Sequence, residues 1–141
     1  MSLTLLTETQ QSILDLARGF AADEIAPHAA AWDRDAHFPR DVAARMGELG
    51  FLGMLIPEAH EGRGLDTLSY LLALEAIAAA DASTAVLMSV HNSLPTQMLL
   101  NFGSAAQRER YLKPMARGEK IGAFALSESE SGSDEIGRAH V

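Results

Sequence analysis

TLSYLLALEAIAAADASTAVLMSVHNSLPTQMLLNF, Thr67–Phe102, is the stretch that decides the fold. Its first part, Thr67–Ala80, sets Leu68, Leu71, Leu72, Leu74 and Ile77 nearly all round a helical wheel. That pattern predicts a buried central helix rather than a surface one. Asp81-Ala82-Ser83 interrupts it, and Ser83 is suited to cap a following helix that runs to Phe102. Pro95 lies inside this second run, where it predicts a kink or the start of a new turn. Gly103 ends it.

Outward on the N-terminal side, Thr7-Glu8-Thr9-Gln10 reads as a capping box. The helix it opens carries Ile13, Ala17, Phe20 and Ala21 on one face, with Leu14 and Ile25 beside them, and should end near Pro27. A further helix is expected over Arg40–Leu49, closed by Gly50 in the left-handed conformation. Phe51–Pro57 is a short apolar run, and Glu58–Gly64 is a loop with a Gly62-Arg63-Gly64 turn. On the C-terminal side, Ser104-Ala105-Ala106-Gln107 is a second capping box, opening a charged helix to about Met115. The pattern changes to strand only at Lys120–Ser127, and that strand has no partner in the sequence. The chain reads as all-α, a bundle-like helical domain over residues 1–117 with a short extended piece after it.

With 141 residues there is room for one full domain, or for one domain and the beginning of another. Hydrophobic residues make up 48% of the chain, enough for a core, and Ala and Leu outweigh Val and Ile, which favours helix. A net charge of −8 without a dense Lys/Arg block argues against nucleic acid or an anionic membrane as partner. The absence of cysteine excludes a disulfide scaffold and thiolate chemistry. Met1–Gln11 has neither a basic leader nor a sustained apolar stretch, and no apolar run reaches membrane-span length, so a cytoplasmic protein is expected. His28, His37, His60 and His91 lack metal-ligand spacing and read as surface or core-satisfied side chains, so no metal site is expected. Trp32 reads as an anchor for the first helix pair.

The run after the last helix, GAFALSESESGSD at Gly122–Asp134, carries the chemistry. An apolar segment passes into hydroxyls and a Ser/Gly/acid loop, the kind of backbone that can grip a flat, hydrogen-bonding ring and its phosphates. Taken alone, Ser127–Asp134 has the composition of a flexible connector. The run resembles the flavin-binding signature of the acyl-CoA dehydrogenase family: Leu or Val, then Thr or Ser, Glu, Pro, two variable residues, Gly, Ser and Asp. The resemblance extends in order over Leu6–Asp134, through Leu49–Gly53, Ile56-Pro57-Glu58, Gly62-x-Gly64-Leu65, Met88–Leu94 and Phe102-Gly103-Ser104. Ser83–Val90 and Phe124–Glu128 are most similar to the short-chain, butyryl-type members.

The resemblance implies an N-terminal helical domain (1–117) followed by the first strand of a middle β-domain (118–134). It implies FAD as cofactor, with the backbone of Leu126 and the hydroxyl of Ser127 on the pyrimidine edge of the flavin and Ser133 at the pyrophosphate. Donors at that edge stabilise the negative charge that appears as the ring accepts a hydride. Phe124 and Ala125 would line the floor of the acyl pocket, and Leu94, Met98 and Leu99 could line it or belong to the core. Ser129 stands where the family usually has Pro, and Glu130 where it usually has a small residue. Both changes affect the loop near the expected phosphates.

The implied reaction is α,β-dehydrogenation of a short-chain acyl-CoA in fatty-acid or branched-amino-acid catabolism. A carboxylate base takes the α-proton and the β-hydrogen leaves as hydride to the flavin. The family's base lies in a C-terminal helical domain, so no catalytic residue is assigned in this chain. An electron-transfer flavoprotein as partner and a homotetramer at full length are implied too. Alternatives are an acyl-CoA oxidase or a flavin monooxygenase on the same scaffold, and a non-catalytic helical interaction module. The last seven residues, Glu135–Val141, continue no earlier pattern. They coincide with a frame of a common sequencing adapter, GAG ATC GGA AGA GCA CAC GTC followed by TGA, and are read as adapter-derived; a natural polar tail is the alternative. Arg138 and His140 are assigned no function.

Overall fold

The computed structural model describes residues 6–127 and Gly132. The first helix, α1 (Glu8–Phe20), starts on the expected capping box: the Gln10 amide donates to Thr7 Oγ1 at 3.2 Å, and the Thr7 amide donates to Gln10 Oε1 at 3.0 Å. It buries Leu14, Ala17 and Phe20, then widens into a π-helical turn, Ala21–Ile25, that buries Ala21 and Ile25. Helix α2 (Ala29–Asp35) was not expected from the sequence. It has no side-chain cap at His28 and no buried residue, so neither a capping nor a periodicity signal marks it. Its Trp32 nonetheless packs against the main core.

Helix α3 (Arg40–Leu49) has the expected bounds, and Gly50 closes it at φ 86°, a conformation an L side chain rarely adopts. The connector after it has no regular structure, yet Phe51, Leu52, Met54 and Ile56 are buried. Its carbonyls are satisfied from elsewhere, as burial requires. The amides of Arg63, Leu65 and Gly64 donate to Gly53, Met54 and Ile56, each at 2.9 Å. Gly62 is needed there, since a Cβ would sit 2.0 Å from the Ile56 carbonyl oxygen.

Helix α4 (Thr67–Ala80) is capped by Asp66, whose carboxylate accepts from the Ser69 amide at 2.8 Å. It packs between α1 and α5 (Ala82–Ser93), with Ser69, Tyr70, Ala73 and Ile77 buried. The all-round burial expected of it is only partly met: Leu68 and Leu71 are exposed among the described residues. Asp81, not Ser83, caps α5; its carboxylate accepts from the Thr84 amide at 2.7 Å and hydroxyl at 2.6 Å. Asp81 wins because a single extended residue joins the two helices, and only its side chain stands at the N-cap position.

Pro95 begins a separate helix, α6 (Pro95–Phe102), after a break at Leu94. The second capping box forms at Ser104, and a rod of α7 (Ala105–Gln107), a π-helical turn (Arg108–Leu112) and α8 (Lys113–Ala116) follows. The main core gathers Phe20, Ile25, Met46, Phe51, Tyr70, Ile77 and Met88. A small satellite of Ile56, Leu112 and Ala116 holds the rod. The all-α reading stands. The strand expected at Lys120–Ser127 does not form: residues 121–127 carry no ladder and no helix, because an extended segment without a neighbour has nothing to pair with.

Candidate flavin-contact arm

The rod ends at a tight crossing. Gly118 turns at φ 76°, and a Cβ on it would lie 2.4 Å from the Gly47 Cα, so two backbones touch where the chain leaves α8. Charge fixes the same corner: Glu61 pairs with Arg117 and, at 3.7 Å, with Lys113. Lys113 also meets Glu109 at 2.7 Å, and Arg117 meets Glu119 at 2.7 Å. Lys120 lies 5.1 Å from the Tyr111 ring centre. The arm, 121–127, departs from this corner.

Three polar side chains on or beside α5 set the path of the arm and of the buried connector. His91 is fully buried, with Nε2 3.1 Å from the Met115 carbonyl and Nδ1 3.0 Å from the Gly122 amide nitrogen. A carbonyl can only accept and an amide can only donate, so the ring is neutral with its proton on Nε2. Burial holds its pKa below the ordinary imidazole value. Asn92, also buried, donates from Nδ2 to the carbonyls of Phe51 at 2.9 Å and Met88 at 3.0 Å. The Thr96 hydroxyl lies 2.8 Å from the carbonyls of both His91 and Asn92. It stands in for the amide hydrogen that Pro95 cannot offer to His91.

Gly122 also lies hard against the α5–α6 junction: a Cβ there would be 2.4 Å from Pro95 Cγ and from Met115 Cε. Beyond it, Phe124, Ala125, Leu126 and Ser127 are exposed. Leu126 and Ser127 make no hydrogen bond among the described residues, so none of these holds their backbone groups or the Ser127 hydroxyl. Those are the groups a flavin pyrimidine edge requires, so the donor set fits FAD. Ser133, Ser129, Glu130 and the Glu135–Val141 tail lie outside the described residues.

Of the residues expected at an acyl pocket, Leu94 and Leu99 are half-buried, while Met98, Phe124 and Ala125 are exposed. None of them lines any of three clefts formed by the described residues. One, of about 310 Å³, runs between Trp32, Phe38, Val42, Met46 and Leu87. The His91–Gly122 contact was missed in the sequence, where His91 reads as a surface or core-satisfied side chain. No local signal marks it, because the two ring partners lie 24 and 31 residues away. Among the described residues no cluster of three metal-ligating side chains occurs, and no helix is long and apolar enough to cross a membrane.

Comparison with known proteins identifies this arrangement. The family model for the N-terminal domain of acyl-CoA dehydrogenases matches residues 7–119. The chain belongs to the acyl-CoA dehydrogenase family. It is 50% identical over 129 residues to the mitochondrial short-chain specific acyl-CoA dehydrogenase of Mus musculus, covering 92% of this chain and 31% of that protein. The structure of butyryl-CoA dehydrogenase from Megasphaera elsdenii superposes with a TM-score of 0.87 at 35% identity, covering 96% of this chain and 36% of that one. A glutaryl-CoA dehydrogenase from Mycobacterium smegmatis in complex with FADH2 gives 0.87 at 30% identity, over 94% and 34% of the two chains. The chain therefore spans about a third of the length of these acyl-CoA dehydrogenases.

Proposed function

We propose that this chain is the N-terminal helical part of an FAD-dependent acyl-CoA dehydrogenase acting on short-chain acyl-CoA thioesters. Residues 1–117 form the helical domain and 118–134 begin the middle β-domain. The observation that carries the reading is the arm: it leaves the helical unit at a fixed point, and the hydrogen-bonding groups of Leu126 and Ser127 take no partner among the described residues. Similarity to short-chain and butyryl-CoA enzymes supports the substrate class. Bound FAD would supply the acceptor for the hydride lost from the β-carbon of the acyl group.

This chain's own residues serve binding and placement. The Ser127 hydroxyl and the Leu126 backbone would hold the polar edge of the ring, and Ser133 the pyrophosphate. Phe124 and Ala125, with Leu94 and Met98, would present an apolar wall to the acyl chain and keep water from it. The base that takes the α-proton is supplied from outside these residues, so the 141-residue chain alone is expected to be inactive. Electron-transfer flavoprotein as the acceptor of the electrons and a homotetrameric assembly are part of the same proposal.

The test is to sequence the source DNA beyond the Asp134 codon and express the frame it encodes. A frame that runs on into a β-domain and a helical domain, binds FAD and is reduced by butyryl-CoA supports the reading. A protein without flavin, or one whose flavin is not reduced by any short-chain acyl-CoA, refutes it. Rapid oxygen consumption by the reduced protein would make it an oxidase instead.

A further inference from the structure

We infer that His91 is a positioning residue for the flavin-contact arm: its two ring nitrogens tie Gly122 to Met115 and so fix where the arm leaves the helical unit. The assignment rests on the reading of that arm given above. The geometry is specific. His91 sits on α5, Met115 on α8, and Gly122 at the start of the arm, with both ring contacts inside hydrogen-bond range.

Only one arrangement of protons satisfies both contacts. If the ring carried its proton on Nδ1, that proton would face the Gly122 amide hydrogen, and Nε2 would present a lone pair to the Met115 carbonyl. The ring is therefore committed to one tautomer by two backbone groups more than twenty residues away in sequence. Packing bears on the same point. Gly122 is seated so closely against this junction that a Cβ on it would lie 2.4 Å from Pro95 Cγ and from Met115 Cε.

Leu126 and Ser127 lie four and five residues beyond Gly122, with no bond of their own to the helices among the described residues. Their placement is thus inherited from the His91 anchor. Burial alone requires that both ring nitrogens find partners; what makes the ring a clamp is that those partners are the two segments that bracket the exit of the chain. The clamp also explains why the arm can be well placed at its root while Leu126 and Ser127 take no partner among the described residues.

The experiment uses the 141-residue chain. Nitrogen-15 NMR of the His91 ring gives the tautomer, amide hydrogen exchange gives the protection of Gly122, and the amide shifts of residues 121–127 give the placement of the arm. The wild-type chain should show unprotonated Nδ1, protonated Nε2 and a Gly122 amide slowed on the order of 100-fold over its free rate. His91→Leu should lose at least ~10-fold of that protection and move the Leu126 and Ser127 amides, while core amide shifts stay in place. His91→Gln, which can both accept and donate, should restore protection and shifts. A protonated Nδ1, or Gly122 protection equal in wild type and His91→Leu, overturns the inference. If His91→Leu does not fold, the wild-type tautomer and Gly122 exchange decide alone. The flavin reading fails separately, in the flavin content of the longer frame.

Discussion

Replacing Asn92 should destabilise the chain by an amount the structure lets us work out. Its Nδ2 group is the donor seen for the Phe51 carbonyl at the head of the buried connector, and it also reaches the Met88 carbonyl. Met88 keeps its helical partner when the side chain is removed; Phe51 does not. Asn92→Ala therefore leaves a buried carbonyl unpaired, at a cost of about 1–3 kcal/mol. The hole left by the amide adds roughly 1 kcal/mol more. Against this, Asn92 Oδ1 is itself buried without a partner among the described residues, so its removal returns about 1 kcal/mol. The net loss is about 2 kcal/mol, or a fall in Tm of roughly 6 °C at about 3 °C per kcal/mol for a chain of this size. Asn92→Asp should be worse at neutral pH, by about 4 kcal/mol, because a carboxylate would face two carbonyl oxygens. Its deficit should narrow as pH falls, because the folded-state pKa of the new acid is raised and the protonated form can donate one bond. Urea denaturation followed by circular dichroism measures both variants. An Asn92→Ala loss below about 0.5 kcal/mol, or an Asn92→Asp chain as stable as wild type at pH 7, would show that the connector is not held this way.

Three further outcomes are expected. Burial lowers the His91 pKa below its unfolded value of 6.5, so its contribution is complete above that pH and is lost as pH falls from 6.5 toward the folded value. Urea midpoints measured from pH 7.5 down to 5 should therefore decline, and decline less in His91→Gln. Gly118→Ala, at φ 76° with its Cβ on the Gly47 backbone, should cost about 2 kcal/mol, whereas Gly19→Ala, in helix α1 with nothing near its Cβ, should gain ~0.5–1 kcal/mol; thermal melts separate them. Met98 and Phe102 are one turn apart on α6 and exposed, Phe102 by 87%, so the chain should self-associate. Sedimentation velocity should show a weight-average mass that rises with concentration, less steeply for Phe102→Ser.

The parts of the fold written in local signals were legible. Thr7 and Ser104 announce their helices through reciprocal bonds three residues away, Gly50 through its backbone freedom, and Pro95 through its missing amide. Helix α2 was not, since it is short, largely exposed and held through Trp32. Asp81 and Ser83 both suit a cap, and the choice depended on how tightly α4 joins α5. The strand-like run at 120–127 has the right composition but no neighbour to pair with. At the site, the family signature pointed to Leu126 and Ser127, yet it could not reveal what holds them. That depends on His91 meeting Met115 and Gly122, and no local window contains all three.

The crossing of Gly47 and Gly118 joins points half the chain apart. Closing so long a loop costs about 4 kcal/mol of chain entropy, which must be recovered by contacts that form only once both ends exist. In order of synthesis α3 precedes the Gly118 turn, so the arm cannot take its seat until the helices before it have been made. The part of the chain that would meet the flavin is thus seated only after those helices, against a backbone point made about half of this sequence earlier.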